Sequence, residues 1–172
     1  MQPVPDLSAL LGTIPWVLVG GVALRAYMPE RATLDIDILI HERDAPAVQT
    51  TLCDAGYQFR GSLSIGGFTV QLDDETPIDV LTRADPWLDT ALSNPVYDLA
   101  GLPVLARPFL VLIKLQAGRT QDLADVQRLL GLASLAERAE ARQVVKQYAP
   151  ELLEDFDSLS NLADLEFGAP SA

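Results

Sequence analysis

The sequence predicts an α+β protein in which a sheet is completed before most of the helices begin. Short β-type runs separated by turn residues fill the first part of the chain, and from Arg107 onward apolar residues recur at helical spacing. A run of strands followed by a run of helices is typical of this class. We therefore expect a mixed sheet core over about residues 14–105 and C-terminal helices over about 107–165. The 172 residues are predicted to form a single domain.

The elements of the first part follow from apolar runs and their breakers. A glycine pair turns the first strand into a helix that Pro29 stops, and Asp44 and Gly56 are a plausible cap and stop for the next helix. The predicted elements are, in order, a strand over Trp16–Val19, a helix from Gly20 to Met28, a strand over Leu34–Ile40 and a helix over Asp44–Ala55.

Three further β-type runs predict a meander that continues the sheet, and four helices follow it. Gly61, the pair Gly66 and Gly67, and a polar turn before Ile78 separate these runs. The predicted strands are Tyr57–Arg60, Phe68–Leu72 and Ile78–Thr82. The predicted helices are Pro108–Ala117, Gln121–Ala133, Ser134–Tyr148 and Pro150–Ala163, with Ser134 and Glu137 as a capping box and Pro150 in the first turn of the last helix.

Composition limits the classes of function. The net charge of −12 argues against a broad nucleic-acid surface, because such surfaces neutralise phosphates with Lys and Arg. No apolar run is long enough for a membrane span. No basic segment precedes an apolar one at the N-terminus, so we do not expect a secretory signal. The single cysteine, Cys53, cannot form an internal disulfide, so a reducing cytoplasm is expected.

Two acids stand within the apolar run Leu34–Ile40. Alternation along a strand puts Asp35 and Asp37 on one face, with Cα atoms roughly 6.5–7 Å apart. Carboxylate oxygens are the ligands that Mg²⁺ prefers. A polar face on an edge strand is the alternative interpretation, and the apolar flanks favour the metal site.

A third acid repeats this pattern in Pro77–Leu81. If its strand neighbours that of Asp35 and Asp37, the carboxylate of Asp79 joins theirs; otherwise it is an outward-facing strand acid. Gly20 and Gly21 leave room for a phosphate to approach the backbone at a helix start, and a tight turn that needs glycine explains them equally well.

Together these residues resemble the nucleotidyltransferase superfamily related to polymerase β, and most closely its abortive-infection and toxin–antitoxin members. The matching segments are Val19-Gly20-Gly21-x-Ala23, Arg31-x-Thr33-x-Asp35-x-Asp37, Ile78-Asp79-Val80, and Leu112–Arg119 followed by Asp122 and Asp125. They span about residues 16–130. One departure is Gln121, where many relatives have lysine.

The resemblance implies a role for each matching residue. Asp35 and Asp37 would be the main Mg²⁺ ligands, at a site that holds two ions, and Asp79 the third carboxylate, which also activates the attacking hydroxyl. Gly20 and Gly21 would form the phosphate turn, and Lys114 would contact nucleotide phosphates. The other matches have two interpretations each. Arg31, in the Arg31-x-Thr33 lead-in, lies beside the triphosphate or forms a structural ion pair. Asp122 and Asp125 belong to the nucleotide site, or they cap and pack helices.

The function implied is Mg²⁺-dependent transfer of a nucleoside monophosphate from an NTP to a hydroxyl on tRNA, a protein or a small molecule. Such an enzyme could be the toxin of a pair with an antitoxin partner. The alternative is a non-catalytic protein of the same fold that serves as an antitoxin or regulatory binding module. The acidic composition gives a protein or small acceptor more weight than RNA.

Overall fold

The computed structural model describes residues 4–29 and 34–169 of the chain. They form two compact units, the first ending at Leu105 and the second beginning at Ala106. Strands and short helices make up the first unit and helices the second, which confirms the predicted α+β class. A single domain over residues 1–172 stays a prediction.

A seven-stranded mixed sheet forms the first unit. Its spatial order is β3-β4-β5-β2-β1-β7-β6, with β2 and β5 parallel at the centre and the predicted meander β3-β4-β5 antiparallel. The strands are β1 (Val17–Leu18), β2 (Ile36–His41), β3 (Gln58–Ser62), β4 (Gly67–Gln71), β5 (Ile78–Arg83), β6 (Val96–Tyr97) and β7 (Pro103–Val104).

Alternate residues of the central strands point into the core on one face of the sheet. Ile36, Ile38 and Ile40 of β2 are buried, and so are Ile78 and Val80, with which β5 faces the same way. Burial of these branched side chains removes apolar surface from water, which is the main favourable contribution to folding. The acids that alternate with them are consequently held on the opposite face.

The helices of the first unit are short. They are α1 (Ser8–Leu11), α2 (Ala45–Asp54) and α3 (Leu88–Ser93), with 3₁₀ turns over Val22–Ala26 and Glu42–Asp44. The helix predicted from Gly20 to Met28 is therefore wrong in type and length. Of the ten residues between β1 and Pro29 only five, Val22–Ala26, are helical, and such short helical segments commonly adopt 3₁₀ geometry.

Three other details differ from prediction. Asp44 ends a 3₁₀ turn and makes no side-chain cap of α2. The strand predicted from Leu34 begins only at Ile36, and Leu34 is 90% exposed, because the chain bends before it enters the sheet. The sequence also gave no signal for α3, β6 or β7.

In the second unit, the part of the chain that the structure describes forms four α-helices and one 3₁₀ turn. Here α4 packs against α5 and α6, and α5 packs against α7. The predicted capping box of Ser134 and Glu137 is present, whereas Pro150 opens a separate 3₁₀ turn, Pro150–Leu152, ahead of the last helix. The helices are α4 (Arg107–Ala117), α5 (Thr120–Gly131), α6 (Leu135–Tyr148) and α7 (Leu153–Phe167). Among the helices that the structure describes, none has the length and apolar character needed to cross a membrane.

Candidate metal and nucleotide site

Three carboxylates meet on the open face of the central strands. Asp37 of β2 and Asp79 of β5 are direct partners in the parallel register, and Asp35 lies two residues before Asp37. One oxygen from each carboxylate lies within 4.8 Å of the others. All three residues are half-buried, so the cluster is open to solvent on one side.

The pattern of apolar residues explains this convergence. Ile36 and Ile38 on one strand and Ile78 and Val80 on the other point into the core, and alternation then forces the intervening acids to the other face. Parallel pairing sets Asp37 opposite Asp79 without any offset. The sequence prediction that the three carboxylates come together if their strands are neighbours is confirmed.

Hard oxygen donors at this spacing suit a divalent cation. Three carboxylates this close repel one another, and a bound cation relieves that repulsion. Mg²⁺ prefers a small number of carboxylate ligands and keeps positions for water and substrate phosphate. The donor set of Asp35, Asp37 and Asp79 therefore fits the expected metal.

Thr69, which the sequence analysis did not identify, forms a hydrogen bond with one of the three carboxylates. Thr69 of β4 is the antiparallel partner of Asp79, and its Oγ1 donates a hydrogen bond of 2.6 Å to Asp79 Oδ1. Phe68 and Val70 on either side of it are buried. The alternation of β4 indicates that Thr69 faces away from the core, but only the register of β4 against β5 shows what it contacts.

The glycine turn directly adjoins the acids. Gly20 has a φ of +64°, and a Cβ added there would lie 1.9 Å from Asp37 Oδ2. The amide of Val19 donates to the carbonyl oxygen of Asp37 at 2.9 Å, which fixes the turn against β2. Gly21 has an ordinary helical φ of −74°. Glycine is therefore required at position 20 by both backbone conformation and the Asp37 side chain, and the role of the pair in phosphate binding stays a prediction.

The predicted site residues of the second unit form a buried ion cluster of their own. Lys114 Nζ donates to Asp122 Oδ1 at 3.2 Å and to Asp125 Oδ2 at 2.8 Å. Arg119 Nε donates to Asp122 Oδ2 at 2.6 Å, and Gln121 Nε2 donates to Asp125 Oδ1 at 3.3 Å. The side chains of Lys114, Asp122 and Asp125 are no more than 4% exposed.

Charge compensation explains how these groups are tolerated in the interior. Burial alone would raise the pKa of Asp122, but the hydrogen bond from Arg119 and the charge of Lys114 outweigh burial and hold that pKa below its ordinary value. The carboxylate is thus kept ionised beside its cation. Contact of Lys114 with nucleotide phosphates, and any part of Asp122 in the nucleotide site, stay predictions. Arg31 and Thr33 lie outside the described residues.

Comparison with known proteins gives matches in structure only. No family model matches the chain, and no curated protein matches it in sequence. The lincosamide antibiotic adenylyltransferase LnuA, solved with lincomycin bound, superposes with a TM-score of 0.51 at 14% identity, over 70% of this chain and 88% of that chain.

Two structures of the antibiotic-resistance factor ANT(2'')-Ia are also similar. The solution structure gives a TM-score of 0.46 at 16% identity, over 89% of this chain and 86% of that chain. The crystal structure with adenylyl-2''-tobramycin gives 0.48 at 16% identity, over 90% and 89%.

The likeness to LnuA confirms the predicted fold. The chain has the mixed sheet and helices of a nucleotidyltransferase fold. LnuA, on which this comparison rests, is an antibiotic adenylyltransferase. A particular closeness to toxin–antitoxin members therefore rests on the sequence resemblance alone.

Proposed function

We propose that this protein is a divalent-metal-dependent nucleotidyltransferase that moves a nucleoside monophosphate from an NTP to a hydroxyl of a small-molecule acceptor. The observation that carries the proposal is the parallel register of Asp37 with Asp79, which gathers three carboxylates within 4.8 Å on a nucleotidyltransferase fold. A fold by itself does not determine an activity, so the site must support it.

Each carboxylate has a role in the proposed reaction. Asp35 and Asp37 would be the principal ligands of Mg²⁺, and Asp79 would be the third ligand and the base. The acceptor oxygen forms a bond to the α-phosphorus, the bond to pyrophosphate breaks, and the hydroxyl proton passes to Asp79. Bound Mg²⁺ would neutralise charge on the triphosphate and the departing pyrophosphate, and the family pattern implies two ions.

The nucleotide is proposed to lie beside the glycine turn. Gly20 brings backbone close to the Asp37 carboxylate, which supports a role of the Gly20-Gly21 turn next to the triphosphate. Arg31 and Thr33 are further nucleotide contacts that the resemblance implies. Lys114 and Asp122 are the further nucleotide contacts implied by the resemblance, and their ion pair would have to open for Lys114 to reach a phosphate.

A small acceptor agrees best with the charge and the comparison. The net charge of −12 repels the phosphates of tRNA. LnuA, which superposes with a TM-score of 0.51, is a lincosamide antibiotic adenylyltransferase. These two observations favour a small hydroxylated molecule over tRNA or a protein.

The direct test is transfer of label from α-labelled NTPs. The protein would be incubated with each of the four NTPs, Mg²⁺ and a panel of small hydroxylated acceptors that includes lincomycin, with product and pyrophosphate both measured. We expect one nucleotide to give a labelled product. Because Asp37 would be a principal metal ligand, Asp37→Asn should reduce the rate at least ~10²–10³-fold.

Asp74→Asn is the matched control, since Asp74 is an exposed acid of the turn between β4 and β5. It should keep the wild-type rate. No labelled product with any nucleotide, or full activity in Asp37→Asn, would reject the proposed reaction.

The non-catalytic alternative is not favoured, because a binding module has no need of a complete carboxylate set. A toxin role, an antitoxin partner and a cytoplasmic location stay predictions from the sequence. Growth arrest on expression that Asp37→Asn relieves would support the toxin role.

A further inference from the structure

The hydrogen bond between Thr69 and Asp79 joins two neighbouring strands at the candidate site. Thr69 Oγ1 and Asp79 Oδ1 are 2.6 Å apart, and the two residues are direct partners of the antiparallel pair β4 and β5. This length is within the range of O–H···O⁻ bonds to an ionised carboxylate. Both side chains are half-buried, on the face opposite the core.

The hydrogen bond from Thr69 restricts rotation of the Asp79 carboxylate. Threonine is stiff about χ1 because it is branched at Cβ, and its backbone is held by the sheet on one side through Asp79 and on the other through Gly61 of β3. The direction of its hydroxyl is therefore fixed by the sheet. A carboxylate with one oxygen held by such a donor loses its freedom to rotate, and its second oxygen then has a defined direction.

We propose that Thr69 is a positioning residue that sets the rotation of the Asp79 carboxylate, so that Oδ1 is held by the hydroxyl and Oδ2 is presented to the metal and the acceptor hydroxyl. The inference rests on the proposed function and deepens it. Thr69 touches neither nucleotide nor acceptor in this account and acts only through Asp79. Partners that orient metal ligands typically contribute ~10–100-fold in activity or metal affinity.

If Thr69 had only a structural role, its substitution would change stability but not turnover or metal affinity. Threonine is also a good strand former, and its loss could lower stability without any effect on turnover or metal affinity. The two roles are separated by Thr69→Val, which keeps the shape and removes the donor, and by Thr69→Ser, which restores the donor. Thr69→Ala is a second variant without the hydroxyl, should valine prevent folding.

Thr82→Val is the matched control. Thr82 lies in β5, three residues after Asp79, and pairs with Ile40 on the buried side of the sheet. This substitution removes a hydroxyl group from the same sheet and leaves the three carboxylates unchanged. Melting temperatures of all variants would be measured to relate any loss of stability to any loss of turnover.

The experiment combines steady-state kinetics with Mn²⁺ titration followed by electron paramagnetic resonance. For Thr69→Val we expect kcat to fall ~10–100-fold and the Kd for Mn²⁺ to rise by ~10-fold or more, with KM for the NTP changed less than ~3-fold. Thr69→Ser should recover both quantities to within ~3-fold of wild type. Thr82→Val should resemble wild type in both.

Wild-type kcat and Mn²⁺ affinity in Thr69→Val would overturn the inference and leave the proposed reaction intact. A loss in Thr69→Val that serine does not restore would also overturn it. If the wild-type protein transfers no nucleotide, the proposed function fails by itself. The Mn²⁺ titration of the same variants then still decides whether Thr69 positions Asp79.

Discussion

At Gly20 the turn after β1 touches the carboxylate of Asp37. A side chain at this position meets two separate obstacles, the positive φ of +64° and the Asp37 Oδ2 atom 1.9 Å from the site of a Cβ. The first obstacle costs about 1–2 kcal/mol of stability for an L-residue. The second moves a predicted metal ligand, which affects the reaction more than the fold.

These two effects can be measured apart with a matched glycine. Gly118 has a φ of +63° in the left-handed region, and an added Cβ there would make only an ordinary contact of 3.8 Å with the Leu115 carbonyl oxygen, so Gly118→Ala carries the backbone strain alone. We expect both alanine variants to lose about 1–2 kcal/mol of unfolding free energy in urea titrations. Only Gly20→Ala should lose transfer, by about 10²-fold or more, because displacements near 1 Å have such effects. Equal activity in the two variants would contradict the contact.

At the scale of elements, α4 and α5 are joined by the buried cluster of Lys114, Asp122 and Asp125. Removing the lysine takes away the cation that both buried carboxylates share, and Asp122 then keeps only its bond from Arg119 among these cations. Lys114→Met should therefore lower the free energy of unfolding by about 3–5 kcal/mol, as measured by denaturant titration.

The chain offers one other lysine as a control. Lys146 of α6 is exposed, and Lys146→Met should change stability by no more than about 0.5 kcal/mol. A similarly small effect of Lys114→Met would show that the ion pairs contribute little to stability. In that case, opening the Lys114 ion pairs so that the lysine could contact a nucleotide phosphate would cost little free energy.

The sequence predicts an element well where many residues repeat one pattern. The alternation of β2 and β5 indicated both strands and the face of their acids, and the helical spacing after Arg107 indicated all four helices of the second unit within a few residues. The bend that exposes Leu34 and the 3₁₀ turn Val22–Ala26 are too local to leave such a pattern. The strands β6 and β7 have two residues each, too few for any periodicity.

Contacts between elements were harder to predict than the elements. The convergence of Asp37 with Asp79 required that β2 and β5 be neighbours, which the sequence offered only as a condition. The bond from Thr69 depends on the turn between β4 and β5, because that turn fixes their register. A shift of one residue there would have put Thr69 on the opposite face. Long-range register is therefore the information that the sequence pattern lacked.

At the scale of the whole molecule, acid should unfold the protein through carboxylates in both units. In the first unit burial alone would raise the pKa of Asp98, but the Leu102 amide and the ion pair with Arg25 outweigh burial and lower it. In the second unit the pKa of Asp122 is lowered as well. Both groups are thus more readily ionised in the folded chain than in the unfolded one.

The sign of the pH dependence follows from these directions. A carboxylate whose folded pKa lies below its unfolded value stabilises the fold above the unfolded pKa, and this contribution is lost as pH falls through the folded pKa. With a reference value of 3.8 for aspartate, stability should change little between pH 7 and about 5 and fall below about pH 4. Urea titrations across this range would check it. An unfolding free energy that stays constant down to about pH 2 would contradict these pairings.

The central claim is that Asp35, Asp37 and Asp79 hold a divalent cation where the triphosphate is received. The most direct measurement is a crystal structure with Mn²⁺ and a non-hydrolysable NTP analogue, in which anomalous scattering locates the metal. The account predicts an anomalous peak in contact with oxygens of all three carboxylates, with nucleotide phosphates on the same ion beside Gly20. A peak elsewhere, or nucleotide bound away from these carboxylates, would contradict it.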